Sequence, residues 1–217
     1  VPREGSGRPP LAAAAKRLLD IGASATALVA LSPVIGVTAA VVRARMGGPV
    51  VFAQRRPGRH EQPFTVYKFR TMTDERDADG NLLPDHVRLT ALGRFLRKTS
   101  LDELPQLWNV LRGDMSLVGP RPLTMNYLPY YSPRERKRFQ VPPGITGLAQ
   151  VHGRNTVAWD ERLGLDADYV EQFSLWNDLR ILFETVKIVL VGRGVVEDPR
   201  SIMQDLDVER QAWVADG

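Results

Sequence analysis

The chain has 217 residues and a formal net charge of +4, which accommodates one catalytic domain with an anchoring segment but not two large domains. It contains no cysteine, which excludes disulfides and thiolate metal sites, and its three histidines (His60, His86, His152) are too far apart for a histidine zinc site. From Glu197 onward six acidic residues accompany two basic ones, so the rest carries +8, a basic body that suits nucleic acid, anionic lipid or a phosphorylated substrate, or is simply a solvated surface.

Residues 1–15 read as an N-terminal extension. Ile21 to Val42 then gives 22 residues without a charge, flanked by Lys16, Arg17 and Asp20 before and by Arg43 and Arg45 after. A bilayer span needs about 20 apolar residues, whereas a signal peptide has a shorter apolar core. Basic flanks at both ends give no orientation for a simple span. Ser32-Pro33 also breaks the segment near its middle. Each half would be roughly 21–22 Å long, too short for a core of about 30 Å. Length and flanking charge therefore favour a re-entrant helix-break-helix hairpin over 16–46, with both basic flanks on the cytoplasmic face. A kinked complete span and a buried core helix are the alternatives. The Ser32 hydroxyl is a candidate to satisfy a carbonyl freed by Pro33.

Pro49 to Phe52 reads as a short strand, Arg55 to Arg59 as a basic turn, and Phe64 to Phe69 as a second strand. Thr73 to Asp85 is a polar loop, with a turn signal at Asp79-Gly80-Asn81. Leucines 89, 92 and 96 mark a helix over Val87–Lys98, and Leu104, Leu107, Trp108 and Leu111 mark another that stops at Gly113. Tyr127, Tyr130 and Tyr131 beside Arg134, Arg136, Lys137 and Arg138 suit a membrane interface or an ordinary amphipathic surface. Asp160–Phe173 reads as helical. Asp178–Val191 reads as an apolar core segment, and the acidic tail 196–217 as peripheral. The expected architecture is α+β and helix-dominated: the hairpin, surface amphipathic helices, a small β element and one cytosolic domain over 47–195.

The most informative stretch surrounds Asp102-Glu103. Ser100 and Glu103 have capping-box spacing, but Pro105 favours Asp102 as the N-cap. Either register places Asp102 at a helix N-terminus, which together with Arg97 and Lys98 favours its ionised form. Local pattern alone leaves the pair as helix caps or as functional carboxylates: a nucleophile, or a ligand for magnesium. Pro120 and Pro122 stiffen the backbone around Arg121, whose guanidinium is either a phosphate clamp or an exposed side chain on a proline-rich turn.

These stretches resemble the bacterial sugar transferases, the monotopic polyprenyl-phosphate phosphoglycosyl transferases. The matching pieces are Lys16-Arg17-Leu18-Leu19-Asp20, Ser32-Pro33, Lys68-Phe69-Arg70-Thr71-Met72 and Ser100-Leu101-Asp102-Glu103-Leu104-Pro105-Gln106. Gly113-Asp114-Met115-Ser116-Leu117, Gly119-Pro120-Arg121-Pro122 and Pro143-Gly144-Ile145-Thr146-Gly147 follow. Each is weak alone; in this order, across about residues 12–195, they are specific. The resemblance implies transfer of a phospho-sugar from a UDP-sugar to polyprenyl phosphate such as undecaprenyl phosphate, releasing UMP. Asp102 is then the nucleophile and a magnesium ligand, with Glu103 supporting it. Lys68, Arg70, Arg97 and Arg121 correspond to phosphate-binding positions, Gln150 and Arg154 to the nucleotide site, and Arg17 to the lipid phosphate. Ser32 and Pro33 correspond to the membrane break. Expected partners are the UDP-sugar, the polyprenyl phosphate, the cytoplasmic leaflet of a bacterial inner membrane and, as an option, a second copy of the chain. Ala149 stands where the family often has tryptophan, which bears on sugar identity. An inactive membrane-surface module would show damage in the dyad or the Pro-Arg-Pro loop, and neither is damaged. A nucleic-acid binder would need neither the long uncharged segment nor an acidic pair beside its basic strip.

Overall fold

The computed structural model describes residues 10–152, 157–191 and 204–211. In chain order they form α1 (Pro10–Ala30), α2 (Ser32–Met46), β1 (Val51–Pro57), β2 (Pro63–Phe69), α3 (Asp85–Arg88), α4 (Ala91–Lys98) and α5 (Gln106–Arg112). There follow β3 (Ser116–Val118), β4 (Gly144–Thr146), α6 (Leu148–His152), α7 (Trp159–Glu171), α8 (Leu175–Val191) and α9 (Leu206–Glu209), with short 3-10 turns between. Helices dominate, and the sheets are an antiparallel ribbon of β1 with β2 and a short parallel pair of β3 with β4.

α1 and α2 meet at Leu31 with a bend of 62°. Pro33 falls in the first turn of α2, where its missing N–H removes no bond within that helix. The Val29 carbonyl thereby loses its helical donor, and the Ser32 hydroxyl donates to it at 2.8 Å. No single helix among the described residues is long and apolar enough to cross a membrane, although the bent pair together has the length and composition of a span.

The start of α1 is fixed to the body by polar groups. Lys16, Asp20 and Ser24 recur at helical spacing and are buried. Lys16 donates to Asp178 of α8 at 2.6 Å, and Asp20 accepts the Leu117 N–H at 3.1 Å. Arg17 donates to the Val110 and Leu111 carbonyls at 2.6 and 2.8 Å, covering the C-terminal end of α5.

Several boundaries differ from the sequence reading. Arg55 and Arg56 belong to β1, and the turn lies at 58–62. Their alternation continues the strand because Arg56 pairs with Phe64 across the ribbon. The helix expected over Val87–Lys98 is two, since Thr90 is extended and its side chain caps α4 by accepting from Gly93 N–H at 2.9 Å. Tyr127 and Tyr131 are buried with Leu123, Phe139, Trp159, Leu163 and Leu206, so they serve the core and not a membrane interface. α8 buries Ile181 but exposes Trp176 by 74% and Phe183 by 71%, so it is not the core segment expected. Nor is the described part of the acidic tail peripheral. Leu206 is fully buried, and Arg210 makes a bidentate pair with Glu135 at 2.8 Å while also reaching Asp160.

Burial of Leu206 has a measurable consequence. Leu206→Ala should destabilise the protein by about 2–5 kcal/mol in denaturant unfolding, as expected for a cavity in a packed core. A change within about 0.5 kcal/mol would mean the segment is peripheral after all.

Candidate active site

The Asp102-Glu103 pair lies in a 3-10 turn (Leu101–Glu103) between α4 and α5. Neither capping register holds. Ser100 adopts a left-handed conformation with φ 57° and its side chain caps nothing, while Pro105 itself stands at the N-cap of α5. Proline has no N–H to satisfy, so α5 begins directly behind it and the dyad is left outside the helix. Gly113 ends α5 in the left-handed region at φ 95°, as its position suggested.

Buried Asn109 sets the spacing between dyad and ribbon. Its amide donates to the Thr65 carbonyl at 2.7 Å and accepts the Tyr67 N–H at 3.2 Å, so α5 pairs with β2 through a side chain. Lys68 is thereby brought over the dyad. Glu103 Oε1 accepts from Lys68 Nζ and from Arg121 Nη2, each at 2.7 Å. Arg121 is held from behind, where Arg138 donates to its carbonyl at 2.5 Å and pairs with Asp166 at 2.9 Å in a fully buried bridge. Close backbone approach holds the Pro-Arg-Pro loop. A Cβ on Gly144 would lie 2.1 Å from the Gly119 nitrogen, so no side chain fits there.

The two carboxylates have different environments. Glu103 is held well below the usual carboxylate range because Arg121 and Lys68 outweigh the cost of its burial. Asp102, 7% exposed, has no hydrogen-bond or ion-pair partner among the described residues. Burial, then the adjacent Glu103 charge, push it up to about 6, with Lys68, Arg121 and Arg97 opposing. The expected downward shift from a helix N-terminus is therefore reversed, since the helix starts beyond Pro105. Burial lowers Lys68, with Glu103 acting against it. Burial also raises Asp166, which Arg138 and Arg162 oppose.

Of the expected site residues, the fold gathers Asp102, Glu103, Lys68 and Arg121. Arg97 is adjacent: its Nε donates to Thr71 Oγ1 at 3.2 Å and its charge acts on Asp102. Arg70 is spent elsewhere, donating to the Met72 and Gly48 carbonyls at 2.9 and 3.0 Å and pairing with Asp74 at 2.6 Å. These contacts knit the exit of α2 to β2 and leave no guanidinium edge for a phosphate. Arg17 likewise covers the end of α5 and does not reach the dyad. Gln150 lies on α6 with both amide atoms buried and unpartnered, packed against Gly147. Arg154 lies outside the described residues.

Beside the dyad is a cleft of about 240 Å³. Lys68 and Arg121 form part of its wall, with Arg56, Gln106, Tyr127 and Arg162, and Gln204 and Asp205 close one side. The sequence reading missed Arg56, Gln106 and Arg162. The available signal was alternation placing Gln54 and Arg56 on one strand face, and helical spacing of Trp159, Arg162 and Asp166.

Magnesium takes few protein carboxylates and completes its shell with water and substrate phosphate. Asp102, with its oxygens uncommitted, fits that one-carboxylate role. Glu103 fits less well because Oε1 already accepts from two cations. Among the described residues, no group of three or more acidic or histidine side chains forms a protein-only metal cage.

An uncommitted carboxylate among basic groups, held on a small helix-dominated α+β body, is the equipment of a group-transfer enzyme acting on phosphates. The chain belongs to the bacterial sugar transferases, whose family model matches residues 11–192. It is 57% identical over 180 residues to the sugar transferase EpsL of Bacillus subtilis, covering 83% of this chain and 89% of EpsL. It is 45% identical over 197 residues to the undecaprenyl-phosphate galactose phosphotransferase of Salmonella typhimurium, covering 82% of this chain but 41% of that protein. To the exopolysaccharide production protein ExoY of Sinorhizobium fredii it is 37% identical, covering 89% and 93%.

The charge states predict opposite effects of neutralising each carboxylate. An acid raised in the folded state costs stability above its folded value, and that cost vanishes below its unfolded value. Asp102→Asn should therefore raise Tm at pH 8 and leave it unchanged near pH 3; equal shifts at both would refute the raised value. Glu103→Gln should instead cost about 1.5–3 kcal/mol at pH 7, because it leaves the part-buried Lys68 and Arg121 without their counter-charge.

Proposed function

We propose that the protein is a phosphoglycosyl transferase that moves a phospho-sugar from a UDP-sugar to polyprenyl phosphate, with Asp102 as the nucleophile. The observation that carries this reading is the division of labour in the dyad. Glu103 holds Lys68 and Arg121, while the Asp102 carboxylate beside it has no partner among the described residues. Family membership and the galactose phosphotransferase among the relatives support the reaction class.

In this mechanism an Asp102 oxygen attacks the sugar-bearing phosphorus of the UDP-sugar. The bond to the bridging diphosphate oxygen breaks and UMP departs with that oxygen. The resulting acyl phosphate is a phospho-sugar enzyme. An oxygen of polyprenyl phosphate then attacks the same phosphorus, releases the Asp102 carboxylate and gives polyprenyl diphosphate sugar. Lys68, Arg121 and Arg97 provide positive charge for phosphoryl oxygens. Magnesium bound at Asp102 would further neutralise the diphosphate. Glu103 orients the two cations without competing as a nucleophile, because its charge is already committed to them.

The acceptor is a lipid, and the bent pair of α1 and α2 suits a re-entrant hairpin in the cytoplasmic leaflet. Leu18, Val29 and Val37 of the pair are exposed, as is the Trp176–Phe183 face of α8. The basic flanks on both sides agree with entry and exit on one face. The expected place of action is the cytoplasmic face of a bacterial inner membrane, at the membrane step that begins glycoconjugate assembly.

Purified protein with magnesium, a UDP-sugar and polyprenyl phosphate should release UMP, and Asp102→Asn should lower the rate by at least about 10³-fold, as losing a covalent nucleophile does. Without acceptor, intact-mass analysis should find one phospho-sugar on the wild type and none on the variant. Full activity of the variant would refute the mechanism. The rate should fall as pH drops below about 6, where Asp102 takes up its proton. Cysteines placed at positions 12 and 47 should label from the same side of the membrane; labelling from opposite sides would rule out the hairpin.

A further inference from the structure

The cleft beside the dyad contains more positive charge than the dyad uses. Lys68 and Arg121 have Glu103. Arg56 and Arg162 have no carboxylate partner among the described residues. Arg56 donates to Gln54 Oε1 at 2.6 Å, a neutral acceptor. Arg162, 8% exposed, lies over the Trp159 ring at 4.9 Å, and its guanidinium makes no hydrogen bond or ion pair among the described residues. The carboxylate that most influences it, Asp166, is already bridged to Arg138 at 2.9 Å. Asp205, which also lines the cleft, accepts the Tyr127 hydroxyl at 3.1 Å.

Two uncharged groups in the same wall are also unsatisfied. Gln106 Nε2 and Thr124 Oγ1 are buried without a hydrogen-bond partner. A buried unpaired donor costs roughly 1–3 kcal/mol, and such groups are rare unless something binds them. Here donors and guanidinium groups without a carboxylate share one cleft, and an anion with several acceptor oxygens is the chemistry that suits them together. Burial and the nearby Arg121 charge pull both arginines down to about 10, which states the same deficit of negative charge electrostatically.

We propose that Arg56, Arg162 and Gln106 form a subsite for the phosphate of the departing nucleoside monophosphate. This rests on the phosphoglycosyl transferase reading. In that reaction the attacking and leaving oxygens lie in line on the transferred phosphorus. Lys68 and Arg121 connect the two halves, since they contact Glu103 of the dyad and also line the cleft. Neither Asp102 nor Glu103 lines the cleft, so a diphosphate with its transferred phosphorus at Asp102 would pass Lys68 and Arg121 to bring its second phosphate there. The subsite then has a chemical purpose. Negative charge grows on the leaving phosphate as the bridging bond breaks, and fixed guanidinium groups stabilise it there. The described C-terminal residues are part of the same device, because Gln204 and Asp205 wall the cleft and Arg210 anchors them to Glu135.

The test uses the full chain in lipid nanodiscs, with UMP as the probe. Arg56→Gln and Arg162→Gln should each weaken UMP binding by about 10- to 100-fold, the value of a charge-assisted contact. The donor KM should rise similarly while the acceptor KM stays unchanged. Arg162→Lys, which keeps the charge, should recover part of the loss. UMP affinity within twofold of wild type in Arg56→Gln with an unchanged circular dichroism spectrum would overturn the proposal even if Arg162→Gln fails to fold. Asp102→Asn separates the two ideas: without magnesium it should bind UMP as wild type does, and with magnesium it should remain inactive. Retained activity in that variant would sink the mechanism, yet UMP binding to the arginine variants would still decide the subsite.

Discussion

The site depends on one carboxylate that serves two cations. Glu103 Oε1 accepts from Lys68 on β2 and from Arg121 on the loop after β3, so three separate parts of the chain converge on one oxygen. Removing one member of this part-buried cluster leaves the others without their counter-charge. The arrangement also leaves Asp102 as the uncommitted member of the dyad. Two adjacent acids thus acquire different roles from position: one is a counter-ion, the other carries a raised proton affinity and free oxygens.

A second constraint joins this site to the apolar segment. Lys16, Arg17 and Asp20 lie within five residues of α1 and reach α8, α5 and β3 respectively. Arg17 covers the C-terminal carbonyls of α5, the helix that immediately follows the dyad. The segment that carries the exposed apolar surface is therefore coupled to the turn of Asp102 and Glu103 by short polar contacts rather than by a flexible linker.

Local rules recovered the elements whose causes are local. The Ser32-Pro33 break, the alternating β2 strand and the Gly113 stop each depend on neighbours within a few residues, and each formed as the spacing indicated. Failures came where distant groups decide. Arg70 and Arg17 look like phosphate ligands by type, but backbone carbonyls from other elements take up their donors. Tyr127 and Tyr131 look interfacial beside their arginines, but α7 and α9 cover them. The helix-cap reading of Asp102 failed because Pro105, three residues on, starts the helix behind the dyad rather than at it.

The sequence by itself determined the reaction class, through an ordered set of short motifs, and the presence of a broken apolar segment, because composition and proline chemistry act along the chain. Only the tertiary structure decided which cations serve the dyad, which carboxylate they leave aside, and that Arg56 and Arg162 line one cleft. Those outcomes are set by burial and by pairing between residues far apart in the chain, and charge pairing in a low-dielectric interior cannot be read from spacing.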